Sequence, residues 1–114
     1  MTELTQQDIN NYCSNRGISR DQLTEFTIPD SVTEIRHGTF IDCTSLTSIT
    51  IPDGITEIGH SAFYGCTSLT SINIPDSVTR IGWSTFHECT SLTQVICNNP
   101  DLFTDHNIQN RDQI

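Results

Sequence analysis

A 23-residue unit written three times in succession constrains this chain more than any other feature. TIPDSVTEIRHGTFIDCTSLTSI occupies residues 27–49, TIPDGITEIGHSAFYGCTSLTSI residues 50–72 and NIPDSVTRIGWSTFHECTSLTQV residues 73–95. Eleven of the 23 positions are identical in all three copies, so the periodicity is not an accident of composition. Leu23-Thr-Glu-Phe26 matches the end of a repeat and Ile96-Cys97 the start of another, which extends the repeating region to 23–97. A fixed period of this length is the mark of a solenoid: one unit cannot bury its own apolar side, and stacking covers each unit with the next.

The apolar residues fall in columns. They are Phe26/Ile49/Ile72/Val95, Ile28/Ile51/Ile74, Val32/Ile55/Val78, Ile35/Ile58/Ile81, Phe40/Phe63/Phe86, Cys43/Cys66/Cys89 and Leu46/Leu69/Leu92. Ile49 and Ile51 alternate with Ser48 and Thr50, a period of two that predicts a strand. Pro52, Asp53 and Gly54 then turn the chain. Val32 and Ile35 predict a second, shorter extended piece with a bend. Ser61 to Cys66 is compact enough for one turn of helix or 3-10 helix, and too short for an independent helix. Equal residues stacked at the strand spacing of about 4.8 Å would form the core.

Both ends of such a stack need covering. Residues 1–22 are expected to supply an N-terminal cap. In it, Thr5-Gln-Gln-Asp8 starts a helix of about residues 5–16 that Gly17 ends, with Leu4, Ile9, Tyr12 and Cys13 on one face. Residues 98–114 would form a C-terminal cap or tail, with Leu102, Phe103 and Ile108 over the last coil and the final polar residues free to fray.

The repeat pattern I-P-x-S/G-V/I-T-x-I-x-x-x-x-F-x-x-C-T-S-L-T-x-I resembles the BspA-type, or Treponema-type, leucine-rich repeats over about two thirds of the chain. That resemblance implies an α/β-type leucine-rich-repeat solenoid: stacked 23-residue coils, a short parallel sheet on one face, little regular helix beyond the N-terminal capping helix. It also implies an adhesion, surface or effector-like protein that binds other proteins and is not an enzyme through this module. Relatives of this kind occur in bacteria, protozoan parasites and large viruses. The sheet side is the binding face that the resemblance favours, here centred on Ser48, Thr50, Ser71, Asn73, Gln94 and Ile96.

Charge excludes some partners. Fourteen Asp and Glu stand against five Arg and no Lys, a formal net charge of −9. Such a chain repels a phosphate backbone and an anionic membrane surface, so neither nucleic acid nor membrane insertion is expected. No apolar run approaches the roughly 20 residues needed to span a bilayer. The partner expected is a protein, with a basic patch to complement the acidity. Self-association through the solenoid ends is a further option.

The N-terminal MTELTQQDINNYC carries neither the basic stretch nor the apolar stretch of a secretory signal. The five cysteines, Cys13, Cys43, Cys66, Cys89 and Cys97, are an odd number, and three of them recur at the repeat spacing. They read as free thiols in a reducing, cytosolic compartment, the host cytosol included if the protein is an effector secreted without a cleavable signal. A fragment of a structural or adhesive surface protein is the alternative.

Catalytic and metal-binding readings are weaker. Zinc ligands gather at spacings such as C-x-x-C, absent here, and the Cys column serves better as small buried packing. His37 and His60 share a repeat column with Trp83, and with Asp42 or Glu88 they would make at most a sparse metal site. Asp30, Asp53 and Asp76 offer one carboxylate per coil where calcium takes six to eight oxygens; they read as turn formers. Thr44-Ser45 and Thr67-Ser68 read as local turn hydrogen-bonders. The repeated Ser and Thr have equivalent surroundings, so none is singled out as a nucleophile. No cofactor motif is present and none is expected. What varies among copies is Arg36/Gly59/Gly82, His37/His60/Trp83, Ile41/Tyr64/His87 and Asp42/Gly65/Glu88. These positions read as ones the scaffold leaves free. Ile41, Tyr64, Trp83 and His87 form the second candidate protein-binding group, because aromatic side chains anchor interfaces.

Overall fold

The computed structural model describes residues 2–103, so Ile108 and most of the expected C-terminal cap lie outside the described residues. The elements in chain order are β1 (Glu3–Leu4), α1 (Gln6–Asn15), a 3-10 turn (Arg20–Gln22), β2 (Glu25–Thr27), β3 (Glu34–Ile35), β4 (Ser48–Thr50), β5 (Glu57–Ile58), β6 (Ser71–Asn73), β7 (Arg80–Ile81), β8 (Gln94–Ile96) and a second 3-10 turn (Pro100–Leu102). The described residues form a solenoid of three stacked coils with parallel sheets, as the repeat requires, and one α-helix that precedes them.

Two sides of the coil are sheet, where one was expected. β2 pairs with β4 and β6 with β8, each strand in register with the strand 23 residues on. On the other side β1, β3, β5 and β7 form one continuous parallel sheet, built on the short extended piece around Ile35, Ile58 and Ile81. A proline two residues beyond β2, β4 and β6 keeps each of these strands brief. Pro29, Pro52 and Pro75 bring no N–H to a ladder, and the carbonyl of each closes a turn on the N–H of Val32, Ile55 or Val78.

The third side differs from the expected turn of helix. Thr39, Ile41 and Cys43 donate back to the carbonyls three residues earlier, while Gly38, Phe40 and Asp42 donate across to His60, Ala62 and Tyr64 of the next coil. The second coil repeats the pattern onto Trp83, Thr85 and His87. Positive φ enforces it. Gly38, Ser61 and Ser84 lie at 64°, 55° and 56°, and Asp42, Gly65 and Glu88 at 56°, 77° and 61°. Left-handed residues four apart break any helix and turn alternate N–H groups out toward the neighbouring coil.

The expected apolar columns are the core, with Ile81 alone among them only partly buried. Phe40, Phe63 and Phe86 stack nearly parallel, their centroids 5.3 and 5.7 Å apart. Phe26 and Tyr12 continue this ring column into the N-terminal end, and Phe103 closes it over Phe86 at 6.1 Å. One buried column went unread in the sequence: Thr39, Ala62 and Thr85. Thr39 Oγ1 donates to the carbonyls of Leu4 and Arg36, and Thr85 Oγ1 to those of Gly59 and Gly82, so the two buried hydroxyls are satisfied.

The invariant exposed threonines also have inter-coil duties. Thr47 and Thr93 donate both N–H and Oγ1 to the carbonyl of the Thr 23 residues earlier, as do Thr56 and Thr79. The Thr67 and Ser68 hydroxyls, expected to bond locally, donate to the Thr44 carbonyl one coil below, while the Thr67 N–H donates to Gly65 within its own turn.

Helix α1 begins with a capping box. Asp8 N–H donates to Thr5 Oγ1 at 3.2 Å, and Thr5 N–H donates to Asp8 Oδ2 at 2.9 Å. Ile9 and Cys13 are buried against the first coil. Beneath that coil, the carbonyls that later coils fill from the turn below would face nothing. Arg20 fills them. Its Nη1 donates to Thr39 and Ile41 carbonyls at 2.8 and 3.2 Å, and its Nη2 to the Gln6 carbonyl and Asn10 Oδ1. A guanidinium with five N–H donors substitutes here for a missing coil.

Candidate interaction surfaces

The first candidate face stands on β4, β6 and β8. Ser48, Thr50, Ser71, Asn73, Gln94 and Ile96 all point outward and are exposed, since each alternates with a core residue. Ser71 lies beside Gln94 and Asn73 beside Ile96, while Ser48 and Thr50 are paired toward β2. Among the described residues none of these six side chains makes a hydrogen bond; the stacking bonds at this edge come from backbone and from the flanking threonines. Ile96 is 48% exposed, one of two large apolar side chains left in solvent among the described residues. Shallow hollows flank the face, one beside Tyr12, Glu25 and Thr27 and another beside Asp53, Asp76 and Asn98.

The second candidate group spans two columns of the repeat. Ile41, Tyr64 and His87 share one column at the turn corner, each half-buried. Trp83 sits four residues earlier in its coil, across the left-handed Ser84, and among the described residues its ring contact is with His60 at 5.1 Å between centroids. The repeat alignment held that signal, because Trp83 and His60 share a column. Trp83 is 68% exposed and borders a groove of about 330 Å³ over β3, β5 and β7. Glu34, Glu57 and Arg80 line the groove in one row, with His37, His60 and Trp83 in another. Its charges are largely matched: Arg36 lies 3.5 Å from Glu3 and 3.6 Å from Glu34, and Arg80 lies 3.7 Å from Glu57.

Two of the variable columns are not free. A Cβ at Gly59 would stand 2.7 Å from the His37 nitrogen, and one at Gly82 would stand 2.7 Å from His60 Nδ1. Glycine is required wherever a full coil lies beneath, and the first copy holds Arg36 because only β1 lies below it. Asp42, Gly65 and Glu88 differ in side chain but share a left-handed backbone.

The thiols are structural. Cys66 and Cys89 Sγ donate to the carbonyls of Phe40 and Phe63 in the coil below, at 3.2 and 3.0 Å. Burial pushes the Cys43 thiol up to about 11, against the pull of the neighbouring Arg20. The hydrogen bond with Cys89 and burial both push Cys66 up, and burial raises Cys13. Thiols held protonated, as burial holds Cys13 and Cys43, are poor nucleophiles and poor metal ligands; Cys89, by contrast, is lowered by its hydrogen bond with Cys66, and is buried. Among the described residues no group of three or more His, Cys, Asp or Glu is placed to hold a metal ion. His60 Nδ1 is already occupied by the Trp83 N–H at 2.7 Å. No helix of the described residues is long and apolar enough to cross a membrane.

Stacked 23-residue coils with parallel sheets, an aromatic and leucine core and polar outer faces define a leucine-rich-repeat scaffold. The chain belongs to the BspA-type leucine-rich-repeat family: the model of the BspA type Leucine rich repeat region matches six copies over residues 7–110. It is similar to the solved Treponema pallidum leucine-rich repeat protein, with 37% identity and a TM-score of 0.65, over 66% of this chain and 35% of that one. It is also similar to a leucine-rich cell surface protein of Faecalibacterium prausnitzii, with 44% identity and a TM-score of 0.64, over 66% of this chain and 20% of that one. The chain thus spans about a third and a fifth of the lengths of these two neighbours. No curated protein matches the chain in sequence. Scaffolds of this family are typically protein-interaction or surface modules and are generally not catalytic.

Proposed function

We propose that this chain is a non-catalytic protein-binding module whose contact face is the outer row of β4, β6 and β8. One observation carries the reading. Most of the invariant residues lie in the core or bond the neighbouring coil, whereas the side chains of Ser48, Thr50, Ser71, Asn73, Gln94 and Ile96 are exposed and hold nothing in the scaffold. Coils already locked by ladders lose little further freedom on binding. The net charge of −9 favours a partner with a basic patch and faster association at low salt.

Two settings fit such a module. An effector meeting its partner in a reducing cytosol accords with the free thiols. A segment of a surface protein accords with the likeness to the Faecalibacterium cell surface protein, of which this chain spans a fifth. Pull-downs from host and self lysates separate the two settings. Ser71→Arg with Asn73→Arg should abolish capture of the recovered partner at unchanged melting temperature. Tyr64→Glu with Trp83→Glu should leave it intact. Capture that survives the first pair and fails with the second moves the contact to the Trp83 side.

A further inference from the structure

We propose that the face over β3, β5 and β7 is a docking surface for a second copy of this chain, held by Trp83 and by a reversal of charge between Glu57 and Arg80. This face belongs to a different sheet from the proposed binding face, so the two surfaces do not compete. At a net charge of −9, two copies repel each other wherever like meets like. The turn column Asp30/Asp53/Asp76, for instance, is acidic in every coil. Among the described residues one repeat column carries both signs. Glu3, Glu34 and Glu57 stand in register on β1, β3 and β5, and Arg80 takes the same position on β7. The third copy also places Trp83 where the first two have His37 and His60.

A closed dimer contact is reciprocal: where one residue meets a second, the second meets the first. Two copies of this sheet, apposed about a two-fold axis parallel to the strands and passing between β5 and β7, set each column against itself. Glu57 then faces the partner's Arg80, and Arg80 faces the partner's Glu57. His60 faces the partner's Trp83 in the same way. An axis through a single coil would set Glu57 on Glu57 or Arg80 on Arg80, so the charges select one register. The surface is free to make this contact. The Arg80 side chain is 78% exposed and meets Glu57 of its own chain only at 3.7 Å. Trp83 borders the 330 Å³ groove, which the partner's indole would enter beside His60. Its backbone is fixed at both ends, the N–H donating to His60 Nδ1 at 2.7 Å and the carbonyl accepting from the Ser61 N–H at 2.8 Å. An exposed aromatic already held in place loses little freedom on contact and anchors an interface well.

Sedimentation of the whole chain at concentrations from about 1 μM to about 1 mM tests the contact. The wild type should pass from monomer to dimer over this interval. Arg80→Glu makes the column wholly acidic, and Glu57→Arg sets arginine against arginine. Each should raise the dimer dissociation constant by about tenfold or more while the melting temperature stays near wild type. Trp83→Ala should weaken the dimer likewise. Mixed in equal amounts, the Arg80→Glu and Glu57→Arg chains should associate as the wild type does, because each supplies the charge that the other lacks. Loss of the ion pair within one chain cannot produce that recovery. The proposal is overturned if the wild type stays monomeric at about 1 mM, if both charge variants associate as the wild type does, or if their mixture stays monomeric.

Discussion

At the scale of single residues, size at one contact decides more than chemistry. Gly82 has an ordinary backbone angle, and its constraint is the His60 nitrogen one coil below. Gly82→Ala should therefore cost about 1–3 kcal/mol in urea unfolding, as overpacking does. Stability equal to wild type would show that the coils are not so close. Phe63, with a ring on either side, should lose about 3–5 kcal/mol on truncation to Ala, and a melting temperature within a degree or two of wild type would refute its place in the column.

Cys43 gives a pH signature. Its thiol is raised in the folded state to about 11 from an ordinary value of about 9, so the unfolded chain gives up this proton first. Its contribution is complete below about 9 and is lost as pH climbs toward 11. Cys43→Ala should flatten stability between those values relative to wild type; parallel curves would exclude the assignment. The apolar columns were legible in the sequence because equal residues stack on equal residues. Gly59, Gly82, Thr39 and Thr85 were not, because what each copy needs there depends on what lies beneath it, which an alignment of copies reads as freedom.

Among the elements, the cap shows how an end is made. Helix α1 was legible through Thr5, Asp8 and Gly17, which carry local signals. Arg20 was not, since its partners Thr39 and Ile41 lie about twenty residues away and are backbone carbonyls that carry no mark in the sequence. Arg20→Met keeps the aliphatic stem and removes the donors. It should destabilise by about 3 kcal/mol, the scale of losing charged hydrogen bonds to buried acceptors. Arg80→Met, on an exposed pair, should change stability by no more than about 1 kcal/mol. Equal losses in both would mean that Arg20 does not close the stack. The turn segments, expected as a turn of helix, became a ladder because Ser61, Ser84, Asp42 and Glu88 accept positive φ without the glycine that would have announced it.

For the whole molecule, stability is a sum of like interfaces between neighbouring coils. Removing residues 50–72 joins Ile49 to Asn73 and restores the pattern of a repeat boundary. That variant should fold with the same circular-dichroism shape and melt lower, having lost one interface. Removing residues 50–71, one residue fewer, rotates each later side chain out of its column and should abolish cooperative melting; survival of both variants would dismiss register as the organising constraint. The sheet's 23-residue register carries a metrical consequence. Each inserted copy lengthens the molecule by one strand spacing of about 4.8 Å and adds another row of outward side chains at the same pitch. The size of whatever such a surface grips is thereby set by counting, in whole units, along the gene.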